Sequence, residues 1–337
     1  MKAIVIGKKE ISSRKPTYVI AEAGINHNGR FDIAEKLVKA ASETGADAVK
    51  FQLFHAEKLV SKKTLPDAYD AFRRVELTSK HFESLAKLAE KQGLDFLSSA
   101  FDFESVDLLQ EMGVPAFKIA SGEISNYQLL QHIAKKGKPI IMSTGMSTVG
   151  EIEEAVDTIY SAGNKKLILL HCVSVYPPKT ENLNLRSIPF LRKTFKTIVG
   201  FSDHSSSIVF PSVAVALGAR VIEKHFTIDK GLPGPDQSFS LEPHEFKAMI
   251  MNVRETERAL GFYGRKLSEN EKEVREIARR SIVAATDIPA GTKITRNMIA
   301  LKRPAKGISP KFVDVVEGMI ATKHIEENEV ITWKKLK

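Results

Sequence analysis

"TIVGFSDH", Thr197 to His204, and "RVIEKHF", Arg220 to Phe226, are two short apolar runs that each close on or beside a histidine. A run of this length, rich in β-branched and aromatic residues and flanked by turn formers, reads as a buried strand. One histidine at a strand end is usually a satisfied polar residue. Two of them, His204 and His225, at the ends of successive runs pose a question about the whole chain, and the answer depends on how many such runs there are.

Working outward, six more precede them: "TYVIAEAG", "ADAVKFQ", "DFLSSAF", "AFKIASGE", "PIIMSTGM" and "LILLHCVS". Helical patterns lie between the runs. After the first, Ile33, Ala34, Leu37, Val38 and Ala41 recur at helical spacing and Gly45 stands where a helix would end. Continuous apolar strands alternating with amphipathic helices imply a parallel sheet covered by helices, and eight repeats imply closure into a (β/α)8 TIM barrel. An open doubly wound sheet is the alternative.

Polar residues gather where each run ends: Glu22, Lys50 and Gln52, Ser99, Lys118 with Ser121 and Glu123, Ser143, Ser174 and Tyr176, Ser202 and His204, and His225. A barrel carries its active site at the C-terminal ends of its strands. Taken singly, Ser99, Ser143 and Ser202 read as helix caps, but eight strand ends that agree predict one polar mouth. Two lysines among hydroxyls suit a ligand carrying a phosphate and a carboxylate. Two neutral imidazoles from adjacent strands, about 4.8 Å apart, supply part of a metal site with positions left for water and substrate oxygens.

The remaining composition narrows the class. The 337 residues exceed one average domain, the hydrophobic fraction is 43%, and no apolar run approaches the roughly 18 residues of a membrane span. The N-terminal "MKAIVIGKKE" has an apolar run too short for a signal peptide and reads as a first strand, so a cytoplasmic location is expected. Cys172 is the only cysteine, which excludes an intrachain disulfide and a cysteine-based zinc cluster; it reads as a small buried hydrophobe. The net charge of +9 favours anionic ligands. Its basic residues alternate with acidic ones, as in "ENEKEVREIARR", so neither a nucleic-acid nor a membrane partner is expected. Composition changes near Ser281, and "DIPAGTKIT" (Asp287–Thr295) aligns with "HIEENEVIT" (His324–Thr332), pairing Gly291 with Asn328 at a position suited to positive φ. The expected division is a barrel over 1–258, a linker over 259–280 and a small β-rich domain over 281–337.

With "IAEAGINHNG", "GADAVKFQ", "FKIASGE", "STGM", "GFSDH", "EKHFTID", "GPDQSFS" and "KRPAKGIS" in this order, the chain resembles the sialic acid (N-acetylneuraminate) synthase family almost end to end. The resemblance implies condensation of phosphoenolpyruvate with an N-acylmannosamine-type sugar, giving sialic acid or a related nonulosonate, such as legionaminic or pseudaminic acid, and phosphate. It implies that Lys50, Ser99, Lys118, Ser121, Ser143 and Ser202 hold phosphoenolpyruvate, and that Glu22, Gln52, Phe101, Ser174, Tyr176 and Asp236 face substrate. Lys50, Lys118 and Glu22 join Glu123 in the catalytic group, with Glu123 the candidate for moving the proton of the water that adds before phosphate leaves. His204 and His225 would carry a divalent metal, manganese first and magnesium or cobalt as alternatives, polarising the sugar aldehyde. The small domain would be the antifreeze-like (SAF, β-clip) domain, reaching a partner's barrel in a domain-swapped homodimer so that Arg303 meets the sugar's N-acyl group. The family often has threonine at Ser99 and asparagine at Ser174; serine cannot reproduce an amide's donor and acceptor pair. Two competing readings are another aldolase using phosphoenolpyruvate and a phosphorylated sugar, which would want more arginines at the mouth, and a noncatalytic carbohydrate-binding or ice-binding protein.

Overall fold

The computed structural model describes residues 2–337. They form two compact units, Met1–Gly261 and Phe262–Lys337. The first opens with an antiparallel hairpin, β1 (Ile4–Ile6) and β2 (Lys9–Ile11). Eight parallel strands follow: β3 (Tyr18–Gly24), β4 (Ala48–Leu53), β5 (Asp95–Ala100), β6 (Phe117–Ile119), β7 (Ile140–Ser143), β8 (Leu167–Cys172), β9 (Ile198–Asp203) and β10 (Val221–His225). They close in the order β10-β3-β4-β5-β6-β7-β8-β9, so the eight runs read from sequence are the eight staves and the open sheet is excluded. The N-terminal run is not a stave but one arm of the hairpin.

The period of two sorts each strand into an outer and an inner set. Outward residues such as Val49, Phe51, Leu169, Phe201 and Ile222 pack under the helices in one large apolar cluster. The helix Phe31–Thr44 buries Ile33, Ala34, Leu37, Val38 and Ala41, the face expected, and ends at Gly45 with φ 85°. Inward residues Ile20, Ala48, Leu97, Ile141, Ile168, Leu170, Ile198 and Val221 form a second cluster, joined by Ile4, Ile6 and Ile11 of the hairpin. The hairpin therefore plugs the N-terminal end of the barrel. Gly200 is an inner position where only glycine fits, because a Cβ there would collide with the Val221 carbonyl and the Leu170 side chain.

The second unit has its own core, including Ile282, Ile288, Ile294, Ile308, Val316, Ile325 and Ile331, beside an antiparallel pair β11 (Ser281–Ala284) and β12 (Ile299–Lys302). Its two similar segments meet through reciprocal backbone bonds between Ile288 and Ile325, 2.8 and 2.9 Å. Gly291 and Asn328 both take positive φ, 84° and 65°, as their alignment predicts. The unit also takes in the helix Glu269–Ala278, which lies in the expected linker. No helix among the described residues is long and apolar enough to cross a membrane.

Candidate active site

Continuing up the inner face, the apolar positions give way to charge. Glu22 of β3, Lys50 of β4, Ser99 of β5, Lys118 of β6, Ser143 of β7, Cys172 of β8, Ser202 of β9, and Glu223 and His225 of β10 all line one small cavity at the C-terminal mouth, with Gln52, Ser121, Tyr176 and His204 above. Lys50 and Lys118 are 2% and 3% exposed. Lys50 Nζ lies 2.8 Å from Glu22 Oε2 and 3.8 Å from Glu223 Oε2, and donates to Ser99 Oγ at 3.1 Å. Lys118 Nζ donates to Ser143 Oγ at 2.8 Å and stands 3.5 Å from Glu223 Oε1, which also accepts from Ser202 Oγ at 2.8 Å. The three serines therefore belong to the charged floor rather than to helix caps.

Glu223 joins the two lysines. Burial pushes its carboxyl up, but Lys118, Lys50 and the Ser202 hydroxyl outweigh burial and bring it to about 2. Glu22 goes the other way: burial, with repulsion from Glu223, holds it above the usual carboxylate range despite Lys50. Lys118 is lowered by burial, Glu223 only partly compensating. Two carboxylates and two ammonium groups compensate one another in the floor, so an incoming anion must compete with Glu22 and Glu223 for the lysines. The serine hydroxyls offer it neutral donors.

Above the floor, the rings of His204 and His225 stand 5.2 Å apart, with Tyr176 stacked on His204 at 4.1 Å and Phe239 5.0 Å from His225. His204 Nδ1 donates to the Val173 carbonyl at 2.8 Å, so in the neutral ring it is Nε2 that carries the lone pair. His225 Nδ1 is buried without a hydrogen-bond partner, 3.7 Å from Asp236 Oδ2. Burial, followed by the nearby His204, holds the His225 ring well below its ordinary value. For His204 burial also disfavours charge, but Cys172, the Val173 carbonyl and Glu223 reverse the direction. Asp236 is raised to about 6 by burial, with His204 opposing. One bare imidazole nitrogen and one unpartnered buried one fit a divalent cation whose remaining ligands come from solvent or substrate. No group of three or more His, Cys, Asp or Glu side chains among the described residues forms a complete protein cage.

Other expected residues fall at the rim or beyond it. Ser174 lies beside Gly145, whose N–H donates to Ser121 Oγ at 3.0 Å and where a Cβ would collide with the Ser174 hydroxyl. Phe101 packs edge-on against Phe54, 6.3 Å between centroids. Glu123 ends the 3₁₀ turn Ser121–Glu123 and accepts from the Asn126 amide at 2.9 Å, outside the residues lining the mouth. Arg303 is exposed in the second unit. The sequence reading missed Glu223, although the period of two signals it: where His225 faces the mouth, the residue two before it does as well. It placed Cys172 in the core without seeing that its thiol reaches the mouth, 3.7 Å from Ser121 Oγ.

A larger cavity, about 570 Å³, lies outside the barrel against the helices Ser79–Lys91 and Phe103–Glu111 and is lined by residues such as Lys87, Leu94, Met112 and Pro115. It gathers no comparable set of buried, mutually paired ionisable groups, so the chemistry is assigned to the mouth.

A plugged (β/α)8 barrel whose mouth gathers paired lysines and carboxylates beneath two histidines has the build of a barrel enzyme with its candidate active site at the C-terminal face. Residues 37–265 match the NeuB family and residues 279–337 the SAF domain. The chain belongs to the NeuB family, a family of nonulosonic acid synthases. It is 45% identical over 336 residues to an uncharacterized protein of Methanocaldococcus jannaschii, covering 100% of this chain and 99% of the relative. It is 43% identical over 331 residues to the N,N'-diacetyllegionaminic acid synthase of Campylobacter jejuni, covering 94% of this chain and 99% of that one. Among solved structures, the N-acetylneuraminic acid synthetase of Leptospira borgpetersenii in complex with citrate superposes with a TM-score of 0.77 at 34% identity, covering 81% of this chain and 95% of that one.

Proposed function

We propose that this chain condenses phosphoenolpyruvate with an N-acylmannosamine-type sugar and water, releasing phosphate and a nonulosonate of the sialic or legionaminic type. The observation that carries the reading is the floor of the mouth, where Lys50 and Lys118 stand among Ser99, Ser143 and Ser202 directly below the histidine pair. The lysines and hydroxyls hold the phosphate and carboxylate. Gln52, Tyr176 and Asp236, nearer the opening, hold the sugar together with Glu22, which rises from the floor to accept from the Gln52 amide at 3.2 Å. His204 and His225 hold a divalent metal, manganese by preference, which when bound supplies Lewis acidity at the sugar aldehyde.

The methylene carbon of phosphoenolpyruvate forms the new bond to the aldehyde carbon, whose oxygen takes up a proton. Water adds at the former enol carbon and loses a proton to Glu22, the carboxylate of the catalytic group that does line the mouth, since Glu123 lies outside it, bonded to Asn126. The carbon–oxygen bond to phosphate then breaks, leaving the keto acid. In this reading Arg303 arrives from a second copy of the chain and binds the N-acyl group, which makes the enzyme a swapped homodimer.

Incubating the protein with phosphoenolpyruvate, manganese and a panel of sugars with one or two acylamino groups, and following phosphate release, tests the reaction. Release that depends on one acceptor supports it and identifies the acceptor. No release with any of them would overturn it.

A further inference from the structure

We propose that the buried ion pair Asp203–Lys224 is the brace that sets the spacing of His204 and His225, and so sets the affinity of the metal they hold; the inference rests on the metal reading above. Each member of the pair immediately precedes one of the two histidines. By the period of two they point to the opposite side, away from the mouth, and both side chains are 0% exposed. Their Cα atoms are partners in the parallel register of β9 and β10, so the pair bridges the two strands at the level where the imidazoles emerge.

The bonds around Lys224 show what it holds. Nζ donates to Asp203 Oδ2 at 2.7 Å, to the Ser205 carbonyl, and to Ser205 Oγ at 3.3 Å, which accounts for all three of its protons. Asp203 Oδ1 accepts from the Ser205 N–H at 2.9 Å, closing an Asx turn over residues 203–205. His204 is the middle residue of that turn. One ammonium thus grips both ends of the segment that presents His204, and its own backbone leads directly into His225. A well-packed apolar pair could replace a buried ion pair without loss of stability, but it would not fasten a turn on one strand to a side chain on the next. Asp203 and Lys224 are positioning residues, since neither faces the mouth.

The test is manganese binding, read by calorimetry and by the electron paramagnetic resonance of bound manganese, on the full chain. Wild type is compared with Asp203→Asn, with Lys224→Met and with the double variant, which buries no unpaired charge and so folds even where a single variant does not. Tyr18→Phe is the control; it removes a half-buried hydrogen bond to Asp95 of 2.7 Å at the plugged end of the barrel. The brace predicts manganese affinity weakened roughly 10- to 100-fold in the braceless variants, an altered manganese spectrum, and unchanged affinity in Tyr18→Phe whatever its melting temperature. Wild type that binds no manganese would remove the metal reading and the brace with it. Wild type that binds, beside a folded double variant binding within twofold of it, would overturn the brace alone. So would an equal loss in Tyr18→Phe.

Discussion

The two ends of the barrel are built from the same eight strands and differ at every inner position. At the base the inner side chains are Ile20, Leu97, Ile141, Ile168 and Val221, sealed by the isoleucines of the hairpin. At the mouth, two residues further along most of these strands, they are Glu22, Ser99, Ser143 and Glu223, with the two lysines among them, while β8 stays apolar at Leu170 and reaches the mouth with Cys172. The base gains free energy by removing apolar surface from water. The mouth removes charge from water, a cost met only by mutual pairing. Stability and function are therefore separated by about two residues of strand, roughly 7 Å.

The strongest way to break this division is to change one residue at each end. Lys118→Met keeps the stem but removes the charge, and is expected to lower kcat/KM on the order of 10³-fold, about 4 kcal/mol of transition-state stabilisation, with a smaller loss of unfolding free energy because buried Glu223 then keeps only Lys50 as an ammonium partner. Equal losses of activity and stability would erase the division. At the base, Ile168→Ala, at a fully buried position, should cost about 3 kcal/mol of unfolding free energy in a denaturant titration. The folded fraction should keep its affinity for phosphoenolpyruvate.

A third site sharpens the contrast, because it buries a titratable ring in its neutral form. His27 lies under the loop after β3, and its Nδ1 accepts from the Gly29 N–H at 3.1 Å, so the ring proton sits on Nε2. Burial, with His81 nearby, lowers its pKa from 6.5 to about 4. The folded state thus binds fewer protons than the unfolded one between these values. The stability it contributes is complete above pH 6.5 and is lost as pH falls through about 4, up to about 3 kcal/mol. Denaturant titrations from pH 7 to 4 should show this slope in wild type and a shallower one in His27→Asn; equal slopes would refute the assignment.

The smallest effect expected is at Arg303. Arg303→Ala should raise the KM for the sugar about tenfold, about 1.4 kcal/mol, and leave phosphoenolpyruvate binding unchanged. Mixing inactive His204→Ala subunits with weakened Arg303→Ala subunits, assayed at sugar concentrations far below the raised KM, should increase activity above that of either alone if one chain's arginine serves the other's mouth. No recovery after demonstrated exchange would assign Arg303 to its own barrel or to none.

The barrel was legible because its periods are clean. Continuous apolar runs bounded by turn formers and the helical spacing of Ile33, Leu37 and Ala41 point to one architecture, and the strand–helix order agrees over eight repeats. The mouth was legible at strand ends, where a polar residue interrupts an apolar run. Glu223 escaped because it lies one pleat deeper, inside the run, where its charge makes sense only beside Lys50 and Lys118 from strands far away in sequence. Glu123 was read at the mouth by its nearness to Lys118, but the chain leaves the strand after Ile119 and turns through a 3₁₀ segment, so the linear count no longer says which way the carboxylate points. The helix Glu269–Ala278 read as a connector because it is mostly charged, and its few apolar residues, Val274, Ile277 and Ala278, are not buried, so they give no core stripe to betray membership of a folded unit.

The hairpin of β1 and β2 has a consequence for traffic. With Ile4, Ile6 and Ile11 closing the base, the barrel is a vessel with one opening. A molecule resting on Lys50 and Lys118 must enter before anything settles on the rim formed by Gln52, Tyr176 and Asp236, and it cannot leave until the rim clears. Under the proposed reaction, order of binding and release follows depth, as in a stack that admits and returns its contents from the same end.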